Sequence, residues 1–252
     1  ASRGKSVYSL IEGADRKDRI VSMIPLDHLD VEGRYLVFLS RLGVVKRTAV
    51  SEFASTRAGG VKAAGVKDGD VILDVALSDA TAEVMLLSRS GRAIRFPEDE
   101  ITVVGRTAQG VKGMTLKDDE VVGMLMIRRD STVLTVSEDG SGKRTPVSDF
   151  PLQKRGGLGT LAVAAGADVS PVVCALEVLE ADEVMIVTAG GQVTRVAADS
   201  VPLQGRRTQG RIIVRLEAGD RVVEVTRAQG RGGAPARDDV STDADGQLDL
   251  LG

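Results

Sequence analysis

The chain has 252 residues, of which 42% are hydrophobic and 2% aromatic, with no Trp and a formal net charge of −3. That length accommodates one large all-β domain or two small ones, with a core built from Val, Leu, Ile, Ala and Met. One cysteine and one histidine exclude an internal disulfide, a structural zinc site and a Cys–His nucleophile pair, and no apolar run is long enough to read as a membrane-spanning helix.

The chain opens Ala1-Ser2-Arg3-Gly4 with no initiator Met, as an excised piece of a longer protein would, and no signal peptide is visible. Residues 1–33 read as the back part of a preceding unit, closed by a strand over Ile20-Val21-Ser22-Met23-Ile24-Pro25-Leu26. His28, in the turn Asp27-His28-Leu29-Asp30, reads as a solvated side chain.

From residue 34 a pattern repeats with a period near 50 residues. A strand-like run ends at a turn glycine, and an arginine follows four positions later: Gly43 with Arg47, Gly91 with Arg95, Gly140 with Arg144, Gly191 with Arg195. Each unit then carries a loop glycine (Gly60, Gly110, Gly159, Gly210) and an acidic turn (Asp70, Glu120, Asp168, Asp220) before a second apolar run. The runs are short, rich in β-branched residues and bounded by Gly and Asp, so they read as strands. Several, such as Val84-Met85-Leu86-Leu87, are continuously apolar, which predicts burial on both faces. Four short strands per unit make a propeller-like blade. The expected architecture is all-β, with four full blades over about 34–79, 80–128, 129–179 and 180–228 and a partial one over 1–33.

No catalytic constellation is present. Tyr8 and Tyr35 are the only tyrosines and neither has a histidine near it in sequence. The P-loop pattern is absent, no metal-ligand spacing occurs, and the recurrent carboxylates fall at turns, where turn chemistry accounts for them. Cys174, within Val172-Val173-Cys174-Ala175-Leu176, reads as a buried thiol. Reduced cysteine and the lack of export signals predict a soluble cytoplasmic protein.

The cations carry the functional signal. Around the loop glycines lie Arg57 and Lys62, then Arg106 and Lys112, then Lys154 and Arg155, then Arg206, Arg207 and Arg211. The turn cations Arg47, Arg95, Arg144 and Arg195, with Lys46 and Lys143, recur in phase with them. In the third unit the loop is Gln153-Lys154-Arg155-Gly156-Gly157-Leu158-Gly159, two cations followed by small residues that let backbone N–H groups approach an anion. Repetition should bring these residues to one basic rim suited to a phosphate backbone. Few aromatics are available to stack single strands and no recognition helix is apparent, so duplex DNA is the expected form, bound with little base specificity.

The end of the chain, residues 229–252, carries two arginines against five aspartates and has the composition of a disordered acidic tail. Removing it from the totals of 33 basic and 36 acidic residues leaves 31 of each, so the body is neutral and its charge layout matters more than its sum. The tail reads either as a solubilising end or as a set of acids that compete for the rim.

Gly91-Arg92-Ala93-Ile94-Arg95-Phe96, the stretch from Gly105-Arg106-Thr107 to Gly113, Gly142-Lys143-Arg144-Thr145-Pro146-Val147 and Gly205-Arg206-Arg207-Thr208-Gln209-Gly210 resemble the C-terminal domain of the DNA gyrase A subunit. Ser2-Arg3-Gly4-Lys5 and Pro25-Leu26 resemble its second blade, and the likeness covers about residues 1–228. The resemblance implies a β-pinwheel that wraps duplex DNA round a basic rim. It also implies partners, the B subunit together with the rest of a dimeric A subunit in an A2B2 assembly, which uses ATP and Mg through other domains to introduce negative supercoils. This chain would need no cofactor of its own, and would be inert alone because the family's cleaving tyrosine lies in a separate upstream domain.

The family's Gln-Arg-Arg-Gly-Gly-Lys-Gly box belongs in the first blade, which would lie before Ala1. The stretch 153–159 resembles it in a later blade, with Lys154 replacing one Arg and Leu158 replacing the last cation. Two alternatives stay open at this point. One is the related domain of topoisomerase IV, and the other a propeller-like protein-interaction scaffold whose cations are merely solvated.

Overall fold

The computed structural model describes residues 6–9, 13, 15, 17–55, 60–166 and 169–228. Among these, four antiparallel sheets follow one another along the chain, and the expected all-β bladed architecture is the one adopted. Each of the first three units begins with a hairpin: β1 (Tyr35–Ser40) and β2 (Val44–Ala49), β4 (Glu83–Ser88) and β5 (Arg92–Pro97), β8 (Thr132–Ser137) and β9 (Ser141–Pro146). After each hairpin comes a single 3-10 turn and, in the second and third units, a two-residue strand: β6 (Val111–Lys112) and β10 (Thr160–Leu161). A long strand closes each unit, as β3 (Ile72–Ser78), β7 (Val121–Ile127) and β11 (Val172–Val178). The fourth unit contains β12 (Glu183–Thr188), β13 (Val193–Ala197), β14 (Arg211–Ile212) and β15 (Val222–Ala228).

The sheets do not coincide with the sequence units. Their strand orders are β3-β1-β2-β6, β7-β4-β5-β10, β11-β8-β9-β14 and β15-β12-β13. The outermost strand of each of the first three sheets therefore comes from the following unit. Val44 faces Lys112, Ala93 faces Thr160, and Gly142 faces Arg211 across these pairings. The expectation of four strands supplied within each unit is corrected accordingly, and the fourth sheet has three strands among the described residues. On the inner side, β3, β7, β11 and β15 pack against one another in that order. The outer edge is formed by β6, β10 and β14.

The turn glycines explain how a neighbour's segment can enter. Gly140 has φ +80°, and a Cβ there would lie 2.5 Å from the carbonyl oxygen of Val214, which belongs to the entering segment. Gly191 has φ +85°, yet a Cβ there would meet nothing within 4 Å, because among the described residues no segment enters the fourth sheet. Glycine thus serves the turn in both hairpins and close approach only in the one that is invaded. The acidic turns seal the same corners. Asp70 Oδ1 accepts from Leu42 N–H at 3.0 Å, Asp119 Oδ1 from Ser90 N–H at 3.1 Å, and Asp220 Oδ1 from Gly190 N–H at 2.8 Å. Asp168 lies outside the described residues.

Apolar side chains alternate between two cores, which is why the strands read as continuous runs. Val84 and Leu86 join Val37, Leu39 and Val45 between the first two sheets. Met85 and Leu87 join Val133, Ala162 and Val172 between the second and third. Burying such a side chain contributes about 1.5 to 3 kcal/mol. In the last sheet one face is covered among the described residues: Val184 and Ile186 are buried, whereas Met185 and Val193 are 37% and 55% exposed.

Ahead of the first sheet, the expected closing strand over residues 20–26 is not formed. These residues pair with no strand, Met23 is 78% exposed, and the segment's hydrogen bond to the first sheet runs from the Ser22 hydroxyl to the Val75 carbonyl at 3.2 Å. Pro25 supplies no backbone donor for a ladder there. The predicted acidic tail, residues 229–252, lies outside the described residues.

Candidate nucleic-acid interface

Three of the four turn arginines do not lie at the surface as expected. Arg47, Arg95 and Arg144 stand opposite the apolar residues Val37, Met85 and Leu134 in their hairpins, so each points over a core between sheets. The Arg47 guanidinium pairs with buried Glu98 at 3.4 Å and lies 4.9 Å from the Tyr35 ring centroid. Arg95 binds the Val147 carbonyl at 2.7 Å and the Glu83 carboxylate at 2.8 Å. Arg144 donates to the carbonyls of Val201, at 3.0 Å, and Asp199, at 3.3 Å. Their backbones do the same work: Arg47, Arg95 and Arg144 carbonyls each accept a 2.8 Å bond, from Val104, Gln153 and Gln204 N–H. These three arginines staple each sheet to the next unit's loop, with most of each side chain withdrawn from solvent. Arg195 is exposed, with no later unit over it among the described residues, and pairs with Glu183 of its own hairpin.

Lys143 is withdrawn as well. It is fully buried, as is Lys46, and their ammonium groups are held by loop carbonyls. Burial pushes both down to about 8, and at Lys143 the nearby Arg206 reinforces that shift while Asp149 opposes it.

The outward-facing cations sit on the loops and on the outer-edge strands. Lys62, Lys112, Lys154, Arg207 and Arg211 are exposed. Lys112 and Arg211 belong to β6 and β14, the outermost strands, and Lys154 and Arg207 to the loops that lead into such strands. Arg106 and Arg206 are half-buried. The Arg206 guanidinium reaches the Leu161 carbonyl at 3.3 Å and lies 5.9 Å from the Phe150 ring centroid. Arg57 lies outside the described residues.

The box-like loop is anchored more tightly than its composition suggests. Gln153 N–H bonds to Arg95, and Gly156 N–H donates to the Gly113 carbonyl at 2.8 Å. The Gly156 and Gly157 carbonyls accept from the Thr115 hydroxyl and N–H, at 2.7 and 2.9 Å. Gly159, at φ +68°, passes so close to β5 that a Cβ would lie 2.4 Å from the Ala93 carbonyl oxygen. Arg155 gives its N–H to Glu100 Oε2 at 2.7 Å and its Nε–H to the Glu100 carbonyl at 3.1 Å. Of the two cations in this loop, Lys154 is exposed and Arg155 half-buried.

Sequence reasoning missed Glu98 and Glu100. They lie in the acidic run Glu98-Asp99-Glu100, where Glu98 is 1% exposed and also accepts the Ser78 hydroxyl. Among the described residues no group of carboxylates, histidine and cysteine could hold a metal. Burial pushes the Cys174 thiol up to about 12, so it carries no nucleophilic thiolate.

Four segments of the chain, residues 34–79, 82–128, 131–168 and 182–229, match the family model of the DNA gyrase C-terminal domain, a β-propeller. The chain is 33% identical over 237 residues to the DNA gyrase A subunit of Pseudomonas aeruginosa, with 90% of this chain and 26% of that protein covered. With the DNA gyrase A subunit of Staphylococcus aureus (strain NCTC 8325 / PS 47) the identity is 37% over 218 residues, covering 85% and 24%. It thus spans about a quarter of the length of these curated relatives. Among solved structures, a DNA gyrase A C-terminal domain superposes with a TM-score of 0.79 at 27% identity, over 90% of this chain and 75% of that one. The C-terminal domain of DNA topoisomerase IV shares the fold, with a TM-score of 0.84 at 24% identity, over 90% and 71%. With the family matched in every one of the four repeating units, this chain belongs to the DNA gyrase C-terminal domain family and is a β-pinwheel.

Proposed function

We propose that the chain binds duplex DNA along the outer edge of its sheets and bends or wraps it, as the C-terminal module of a gyrase A subunit. The observation that carries this reading is the placement of Lys112, Lys154, Arg207 and Arg211 on the exposed loops and outer-edge strands of successive units. The turn acids Asp70, Asp119 and Asp220 are meanwhile engaged by hairpin amides. Contacts of this kind read backbone charge rather than base sequence. In the assembled enzyme the module would support negative supercoiling driven by ATP bound on the B subunit. Strand cleavage would belong to the upstream part of the A subunit, within a bacterial cytoplasm, and the chain alone would be inert. Membership in the gyrase family and the similarity to gyrase A subunits favour this assembly over that of topoisomerase IV.

The test is a salt titration of duplex binding. Log K should fall linearly with log salt, by about 0.9 per phosphate neutralised. Reversal of Lys112, Lys154, Arg207 and Arg211 to Glu together should abolish binding while the unfolding midpoint stays in place. A protein-interaction scaffold would instead show weak, salt-insensitive affinity in both forms, and that result would refute the DNA reading.

A further inference from the structure

Two of the loops handle their own backbone differently from the third. Lys46, on β2, donates through Nζ to the carbonyls of Ala63 at 2.7 Å, Gly105 at 3.3 Å and Ala108 at 3.5 Å, and also to that of Arg106. Lys143, at the equivalent place on β9, donates to the carbonyls of Gly205 at 2.8 Å and Arg206 at 2.6 Å, and to the Thr208 hydroxyl at 3.3 Å. The side chain at the matching place on β5 is Ile94, which offers no donor and approaches Gly157 instead.

The consequence follows from peptide geometry. Cis peptides are absent among the described residues, and in a trans peptide the C=O of one residue and the N–H of the next point to opposite sides. Turning the Gly105 and Arg106 carbonyls in upon Lys46 therefore turns the N–H groups of Arg106 and Thr107 out. Turning the Gly205 and Arg206 carbonyls in upon Lys143 does the same for the N–H groups of Arg206 and Arg207. None of these four N–H groups has a protein acceptor among the described residues. Outward pairs of adjacent main-chain N–H groups form concave sites for anion oxygens.

The third loop shows what such a position binds. Arg155 is the counterpart of Arg106 and Arg206, since Gln153, Val104 and Gln204 make the same bond to the preceding sheet. Its N–H is taken by the Glu100 carboxylate at 2.7 Å. An oxyanion of the protein thus fills the place that stands open in the other two loops. The corresponding acids there are Glu52, which is exposed, and Asp149, one methylene shorter; neither reaches the loop amide.

We propose that the N–H pairs of Arg106–Thr107 and Arg206–Arg207 are two main-chain subsites for phosphodiester oxygens, held outward by Lys46 and Lys143, and that Glu100 closes the corresponding subsite of the third loop. This rests on the DNA reading above and specifies where the backbone is gripped. The buried lysines are positioning residues that touch no phosphate. Exposed Arg207, with Arg211 nearby in the chain, supplies side-chain charge beside one subsite.

The experiment follows backbone amide resonances while the chain is titrated separately with inorganic phosphate and with a short duplex. The amides of Arg106, Thr107, Arg206 and Arg207 should shift saturably with both probes, and that of Arg155 with neither. Lys143→Met should weaken the response at 206 and 207 by about tenfold, the scale of a hydrogen bond to a charged acceptor. The 106–107 response should persist in the same molecule and report that the fold is intact. Glu100→Ala should open the Arg155 amide to phosphate, and this arm decides the matter should Lys143→Met unfold. Four silent amides in a chain that still binds duplex would overturn the subsites and leave the DNA reading standing. Amides that answer phosphate but not a duplex that binds would overturn their assignment to phosphodiester oxygens, and a chain that binds no duplex at all would overturn the DNA reading. An undiminished response at 206 and 207 in a folded Lys143→Met chain would overturn the positioning role.

Discussion

Glu98 and Arg47 meet 3.4 Å apart across the junction of the first and second sheets, with the carboxylate side chain fully buried and the guanidinium side chain 10% exposed. The carboxylate also takes the Ser78 hydroxyl, so one acid joins the closing strand of the first sheet, its second strand and the turn of the next unit. At the matching turn positions in the later units stand Val147 and Ala198, and there Arg95 and Arg144 turn to backbone carbonyls. Removing one member of a buried pair leaves the other charged and unpartnered. Glu98→Gln should therefore cost about 3 to 5 kcal/mol, read from urea unfolding. Replacing both partners, as Arg47→Met with Glu98→Leu, should recover most of that loss. Equal instability in the single and double variants would deny the pair its role.

The turn glycines predict a second contrast. Gly191→Ala introduces only the left-handed backbone cost, about 1 to 2 kcal/mol, because a Cβ there meets nothing. Gly140→Ala adds a Cβ 2.5 Å from the Val214 carbonyl oxygen, so it must also push the entering segment from the third sheet. The unfolding midpoint should fall further for Gly140→Ala, with hydrogen exchange at Ile213 and Val214 accelerated only in that variant. Similar behaviour of the two would contradict segment exchange as a source of stability.

The buried lysines give a pH signature. Both are pushed down to about 8 from an ordinary 10.5, chiefly by burial. Around Lys46 the cavity of about 300 Å³ is also lined by Lys67, Asp70 and Lys112, and near Lys143 stand Arg206 and Asp149. Between about pH 8 and 10.5 the unfolded chain holds more protons on these groups than the folded one, so their contribution to stability rises with pH across that window. The wild-type chain should therefore gain stability relative to Lys46→Met with Lys143→Met as pH is raised from 8 to 10.5. Parallel pH profiles of the two unfolding midpoints would contradict the burial of the ammonium groups.

Much of the fold is legible because its signals are local. The run Val84-Met85-Leu86-Leu87 announces burial on both faces, and its residues divide alternately between two cores. The exchange of outer strands is not legible, since a two-residue strand such as Val111–Lys112 has no period of its own and pairs with residues far away in sequence. Among the cations the informative signal was register. Turn geometry at Gly43 sets Arg47 opposite Val37, and that apolar partner marks an inward face. Counting charges in phase assigned Arg47, Arg95, Arg144 and Lys143 to the rim; pairing them across the hairpin shows which face each occupies.

The loop over residues 153–159 yields the final contrast, because its two cations have separate tasks. Lys154 is exposed, and Arg155 is bound to Glu100 and to the Lys112 carbonyl. Lys154→Ala should leave the unfolding midpoint unchanged while weakening duplex binding and lowering the salt slope by about 0.9, one phosphate contact. Arg155→Ala deprives the Glu100 and Lys112 carbonyls of their donors at the junction between units, at about 1 to 3 kcal/mol of stability. Its duplex affinity per folded molecule should hardly move, since its guanidinium is already committed within the protein. Reversed outcomes, with Arg155→Ala flattening the salt slope and Lys154→Ala lowering stability, would mean that the arginine of this loop, not its lysine, makes the DNA contact.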